Sequence, residues 1–190
     1  MIAAVVPVKR LADAKSRLSS HLSADERAAL ALELARGVIV SLRASGRIGR
    51  MAVVTPEPHL AELLGVESIP DAADLNSSLS RGVEWARQAS AHALLILPAD
   101  LPLISPEDVQ AVVDASGISP GITICATRDG GTGALLLRPP DAVPPSFGKD
   151  SFERHLELAR ERGMAARVID RNGLRSDLDT VEDLDCLRAR

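Results

Sequence analysis

Aromatic side chains are almost missing from this chain: one Trp, two Phe and no Tyr, 2% of 190 residues. Apolar residues still make up 46%, so the core must be built from Ala, Val, Leu and Ile, which suits parallel strands covered by helices. Stacking platforms for RNA bases and aromatic sugar-binding faces do not fit this composition. An excess of positive charge is missing too. With 22 basic and 26 acidic residues the net charge is −4, which gives no field that would favour nucleic acid. Small molecules are the expected partners.

Cysteine is scarce. Cys125 and Cys186 support neither a disulfide framework nor a zinc set. No segment approaches the ~20 apolar residues of a membrane span, and the opening Met-Ile-Ala-Ala-Val-Val-Pro lacks the basic region of a signal peptide. A soluble, cytoplasmic protein without membrane partners is expected. Glycine-rich phosphate motifs are also lacking. Neither Gly-x-Gly-x-x-Gly nor Gly-x-x-x-x-Gly-Lys-Ser/Thr follows the first strand. The four histidines (His21, His59, His92, His155) share no ligand spacing. No Gly-x-Ser-x-Gly elbow or Cys/His pair offers a covalent nucleophile.

What is present is a regular alternation of strand-like and helix-like segments. Strands are expected at Ile2–Val6, Met51–Val54, Val66–Ile69, Ala93–Leu97, Ile122–Ala126, Ala134–Leu137 and Arg167–Ile169. Ser23-Ala-Asp-Glu26 is a capping box that starts a helix to about Leu42, and a short helix lies near Pro58–Leu64. Asn76 or Ser77 caps a helix to about Ser90. Ser105-Pro106-Glu107-Asp108 starts another, with a cap, proline at the first position and acids in the first turn. Ser151 opens a helix that Gly163 closes, and Asp179 or Thr180 caps the last one. Repeated βα units of this kind imply a single α/β domain over residues 1–190, Rossmann-like, its sheet mostly parallel with helices on both faces.

Six places carry residues suited to chemistry. Leu94–Leu97 reads as a fully buried strand that Pro98 stops and Pro102 turns. Asp100 then lies just past the carboxyl end of a central strand, where open α/β sheets bind ligands, although it could merely cap a turn. Lys9, Arg10, Lys15 and Arg17 follow the first strand and Pro7; such a loop can neutralise a polyphosphate or remain a solvated basic surface. Asp129-Gly130-Gly131-Thr132-Gly133 can point several backbone N–H groups at an anion, or form a tight hairpin, or both. Ser146–Ser151 leads into a helix N-terminus, a second anion-prone turn. Asp177 could join Asp100 on Mg²⁺, which takes one or two carboxylates plus substrate phosphates. Asn76 could read a base edge or serve as a helix cap. Polyphosphate, Mg²⁺ and a second anion without a protein nucleophile fit nucleotidyl transfer.

Taken in order, Pro7-Val-Lys9 with Ala14-Lys15-Ser-Arg17-Leu, Asp74-Leu-Asn76, Pro98-Ala-Asp100-Leu-Pro102, Gly131-Thr132-Gly133, Phe147-Gly148 with Ser151-Phe152 and His155, and Asp177-Leu-Asp179-Thr180 resemble a known family over nearly the whole chain. These are the guanylyltransferases of coenzyme F420 biosynthesis, related to the molybdenum-cofactor guanylyltransferase and the nucleotide-diphospho-sugar transferases. The resemblance implies condensation of GTP with a phosphorylated three-carbon acid and release of pyrophosphate. It implies phosphoenolpyruvate as the acid in bacterial members of this type, with 2-phospho-L-lactate and 3-phosphoglycerate as alternatives. By similarity, Thr132, Gly148 and Ser151 hold the acid, Asp100 and Asp177 hold Mg²⁺, Pro7, Lys9 and Asn76 contact the nucleotide, and Lys15 and Arg17 stabilise the leaving pyrophosphate. The chain departs from the wider superfamily in lacking its Gly-rich N-terminal loop. A non-catalytic nucleotide-binding protein of the same fold is the competing expectation. Apolar helix faces would suit a homodimer.

Overall fold

The run Ile2–Pro7 (β1) is buried over all but its last residue, and its side chains alternate between two apolar layers. The computed structural model describes residues 1–178, 180, 181, 183 and 184; Cys186, Asp179 and Glu182 lie outside the described residues. Ile2, Ala4 and Val6 pack with Val38 and Ile39, Leu60, Val109 and Val112. Ala3 and Val5 pack on the opposite face with Leu79, Ala86 and Ala159. The first set of partners comes from helices Ala24–Ala44 (α1), His59–Leu64 (α2) and Pro106–Ser116 (α4). The second comes from Leu75–Gln88 (α3) and Ser151–Glu161 (α5). A strand covered on both faces needs apolar residues at every position, which is why the run has no polar alternation.

The remaining strands are Ile48–Thr55 (β2), Glu67–Pro70 (β3), Ala93–Ile96 (β4), Gly121–Ala126 (β5), Thr132–Arg138 (β6) and Ala165–Ile169 (β7). They form one sheet in the order β3-β2-β1-β4-β6-β5-β7. β1 pairs in parallel with β2 and β4, β2 with β3, and β5 with β7. Among the described residues only β6 is reversed, pairing antiparallel with β4 and β5. The expected α/β architecture with a mostly parallel sheet is therefore what the chain adopts. The reversal arises at the Asp129–Gly133 stretch, which makes the tight hairpin anticipated as one of its two readings: Thr127 N–H donates to the Gly131 carbonyl (3.0 Å). Successive units run outward from β1 through β2 to β3, then return to its other side at β4. The carboxyl ends of β1 and β4 flank that switch point, and a crevice opens there.

Local signals account for most helix starts. Ser23 and Glu26 form a reciprocal capping box at α1, as do Ser105 and Asp108 at α4. At α3 the expectation is corrected. The cap is Asp74, whose carboxylate accepts the N–H groups of Asn76 (2.9 Å) and Ser77 (3.0 Å), so those two residues sit in the first turn. A carboxylate holds two orphan donors at once, which the amide or hydroxyl further on does not do here. Thr180 forms a reciprocal pair with Asp183, donating from N–H and Oγ1 to the carboxylate (both 2.8 Å) and accepting the Asp183 N–H. Among the described residues no helix is long and apolar enough to cross a membrane.

Candidate active site

The basic loop after β1 is folded rather than loose. It contains two single 3₁₀ turns, Leu11–Asp13 and Ser16–Leu18. Glu57 accepts the Leu11 N–H at 2.8 Å, and Arg27 donates to the carbonyls of Ala14 and Leu22. Leu18, fully buried, anchors the loop in a small cluster with Leu34, Leu178 and Leu184. Between the turns Lys15 takes a left-handed backbone conformation, φ 51°, uncommon for a side chain of this size. That kink aims its ammonium at Asp100: Lys15 Nζ donates to Asp100 Oδ2 at 2.6 Å, with the lysine side chain 7% and the carboxylate 29% exposed. The pair joins residues 85 positions apart, and both of them line the switch-point crevice.

That crevice has a volume near 410 Å³, and Pro7, Lys9, Lys15, Arg17, Leu75 and Asp100 are among its lining residues. Five of the positions singled out from sequence therefore meet in one cleft. The backbone next to Asp177 is tied to that of Asp100 by the Leu178 N–H, which donates to the Asp100 carbonyl at 3.1 Å, and by Leu178 packing with Leu18; Asp177 itself is not among the cleft's lining residues. Among the described residues, no three His, Cys, Asp or Glu side chains gather as a self-sufficient metal site. Mg²⁺ takes one or two carboxylates and leaves its remaining positions to phosphate oxygens and water, and Asp100, lining the cleft, supplies one such carboxylate.

Thr132, Gly148 and Ser151 belong to a second cluster that does not line the cleft but adjoins it. Here the two anion-prone turns do meet: Phe152 N–H donates to the Gly130 carbonyl (3.3 Å) and Ser151 N–H to that of Gly148 (3.2 Å). Two of the helix-terminal donors that the sequence offers to an anion are thus engaged within the protein. The hydroxyls of Thr132 and Ser151 lie 2.9 Å apart, both buried, while Gly148 is exposed with φ 129°. Asn76 sits at the join between the clusters. Its Oδ1 accepts the Phe147 N–H (2.7 Å) and its Nδ2 donates to the Phe147 carbonyl (3.0 Å). That leaves one amide hydrogen and one lone pair for any ligand. Asp129 is held below the usual carboxylate range, first by the Thr127 hydroxyl and then by the Gly131 N–H, with the Arg17 charge contributing.

His155 is the residue that sequence reasoning passed over except as part of a motif. It lies one turn along α5 from Ser151, on the same face, and is completely buried. Its Nε2 accepts the Ser146 N–H at 3.0 Å, its Nδ1 lies 3.1 Å from Thr132 Oγ1, and the Phe147 ring meets it edge-on at 5.1 Å. Burial lowers its pKa from 6.5 to about 4, partly opposed by the Ser151 carbonyl. As pH falls from 6.5 to 4, the unfolded chain binds this proton before the folded one does. The stability tied to neutral His155 is then complete above that window and drains through it, by roughly 3 kcal/mol in all. Urea midpoints measured at both ends should show this slope in the wild type and a smaller one in His155→Gln. Equal slopes would show that His155 is protonated alike in both states.

With this geometry in view, the relatives are informative. The model of the family described as Guanylyl transferase CofC like matches residues 2–188. The chain belongs to this family. Among its relatives, a phosphoenolpyruvate guanylyltransferase of Rubrobacter xylanophilus is 46% identical over 98% of this chain and 93% of its own length. A 2-phospho-L-lactate guanylyltransferase of Methanothermobacter thermautotrophicus is 33% identical over 95% of this chain and 81% of its own. A crystal structure of a putative nucleotide-diphospho-sugar transferase from Desulfovibrio desulfuricans has the same fold, with a TM-score of 0.79, 19% identity, and 98% and 85% of the two chains covered. Within this family setting, the Asp100 cleft at the switch point is the candidate active site.

Proposed function

We propose that this guanylyltransferase condenses GTP with phosphoenolpyruvate, giving enolpyruvoyl-diphospho-5′-guanosine and pyrophosphate in coenzyme F420 biosynthesis. The observation that carries the reading is Asp100 at the carboxyl end of β4, facing a cleft rimmed by Lys9, Lys15 and Arg17. The acid is assigned from the relative at 46% identity, against 33% for the 2-phospho-L-lactate enzyme. GTP lies in the cleft, with Pro7, Lys9 and Asn76 on its side. The acid lies toward Thr132, Gly148 and Ser151. Mg²⁺, held by Asp100 and Asp177, would supply charge neutralisation between the two phosphates.

A phosphate oxygen of the acid attacks the α-phosphorus of GTP in line. The new P–O bond forms as the bond from the α-phosphorus to the β-bridging oxygen breaks, and pyrophosphate leaves against Lys15 and Arg17. Lys15 is prepaid for this role, because its ammonium is already buried and oriented before any phosphate arrives. The attacking oxygen is ionised at neutral pH, so no protein base is required, in keeping with a histidine that is buried and neutral. Pyrophosphate release should be measured with GTP, Mg²⁺ and each of phosphoenolpyruvate, 2-phospho-L-lactate and 3-phosphoglycerate, and again with ATP, CTP and UTP. Release is expected with GTP and phosphoenolpyruvate; silence with all three acids would sink the reading.

A further inference from the structure

We propose that His155 is a positioning residue for the acid substrate: by donating from Nδ1 to Thr132 Oγ1 it fixes the direction of a hydroxyl chain that ends on Ser151 Oγ–H as a donor to the substrate's oxyanion. The inference rests on the reading of Thr132 and Ser151 as acid-binding residues.

The direction follows from proton accounting. A backbone N–H can only donate, so the Ser146 N–H requires a lone pair on His155 Nε2. A neutral imidazole with its lone pair at Nε2 carries its proton on Nδ1. That proton faces Thr132 Oγ1 at 3.1 Å, so the threonine oxygen accepts. The Thr132 O–H then donates to Ser151 Oγ, 2.9 Å away. Among the described residues the chain ends there, and the Ser151 proton points out of it.

Without the imidazole donor, the two hydroxyls could rotate so that Ser151 donates back to Thr132 and turns a lone pair toward the anion. The same ring also steadies the loop that carries Gly148, through Ser146 N–H and the edge contact with Phe147. Both elements of the acid subsite thus hang on one buried side chain, in an interior where a misdirected dipole costs more than in water.

Two isosteric substitutions separate these arms. In His155→Asn the amide N–H falls where Nδ1–H lies, keeping the donor to Thr132 and losing the acceptor for Ser146. In His155→Gln the amide oxygen replaces Nε2, keeping the loop contact and losing the donor. With full-length protein and Mg²⁺, His155→Gln is expected to raise KM for phosphoenolpyruvate about tenfold. It should leave KM for GTP within about twofold, while His155→Asn stays within about threefold for both. Equal effects of the two variants, or a joint rise in both KM values, would mean a packing role and overturn the proposal. Thr132→Val tests the underlying reading by itself. An unchanged KM for phosphoenolpyruvate there rejects Thr132 as an acid-binding residue, whereas a raised KM beside a silent His155→Gln rejects only the role of His155. Should the variants not fold, the long-range ¹⁵N–¹H spectrum of the wild type decides. An Nδ1–H tautomer for His155 is expected, and an Nε2–H tautomer overturns the proposal.

Discussion

Replacing Asp100 by Asn is expected to cut turnover by about 10²- to 10³-fold, the scale of losing a preorganised electrostatic group at a reacting phosphate, while the protein stays folded. Asn keeps an oxygen toward Lys15 and does not touch the backbone carbonyl that accepts from Leu178. The lost quantity is charge. A neutral amide is a poor Mg²⁺ ligand, and it no longer balances the ammonium of a lysine whose side chain is 7% exposed. Some loss of stability therefore accompanies the change, and a thermal melt run alongside the assay separates the two effects. Wild-type turnover in a folded Asp100→Asn protein would remove the carboxylate from the mechanism.

Gly133→Ala is expected to be the most damaging small substitution outside the cleft. A Cβ at that position would overlap the Leu174 carbonyl and come within 3.3 Å of Thr127 Cγ2. β6 is pinned on both sides of Gly133, by β5 at Thr132 and Ala134 and by β4 from Leu135 to Leu137. The Asn172–Leu174 turn must move instead. With it goes the following segment, which carries Asp177 and is tied to Asp100 by the Leu178 N–H bond. Overpacking against backbone of this kind costs about 3 kcal/mol, which for a chain of this length lowers Tm by roughly 10 °C. Activity at limiting Mg²⁺ should fall as well. Gly37→Ala is the control: it lies within α1 with nothing inside 4 Å of the added carbon, and should gain about 0.5–1 kcal/mol. Equal melting temperatures for the two variants would contradict the close packing of β6 against the turn.

The parts of the fold legible in the sequence are those set by neighbours in the chain. β4 followed by Pro98 and Asp100 is recognisable from an unbroken apolar run and two prolines, and the Ser23 and Ser105 boxes from spacing alone. The cap at Asp74 was missed because Asp, Asn and Ser stand within four positions of each other, and only the backbone conformation decides which side chain turns inward. The reversal of β6 shows in sequence only as a glycine-rich stretch, which an anion turn and a hairpin share.

Contacts between distant residues leave no such trace. Lys15 meets Asp100 across 85 positions, and Asn76 meets Phe147 across 71. The segment carrying Asp177 is tied to Asp100 through the backbone of its neighbour Leu178, which no side-chain pattern reveals. His155 was hidden for another reason. Its spacing to the other histidines is uninformative, and its importance lies in a hydroxyl pair 4 and 23 positions away. The i, i+4 relation between Ser151 and His155 was the one available signal.

The central claim is that the α-phosphorus of GTP ends up bonded to the phosphate of a three-carbon acid. The most direct measurement supplies GTP labelled at its α-phosphorus together with phosphoenolpyruvate, Mg²⁺ and this protein, and follows the label. The account predicts that the label appears in a diphosphate diester joining guanosine to enolpyruvate, with unlabelled pyrophosphate released in equal amount. Label recovered as GMP or GDP, or left in GTP, would contradict it.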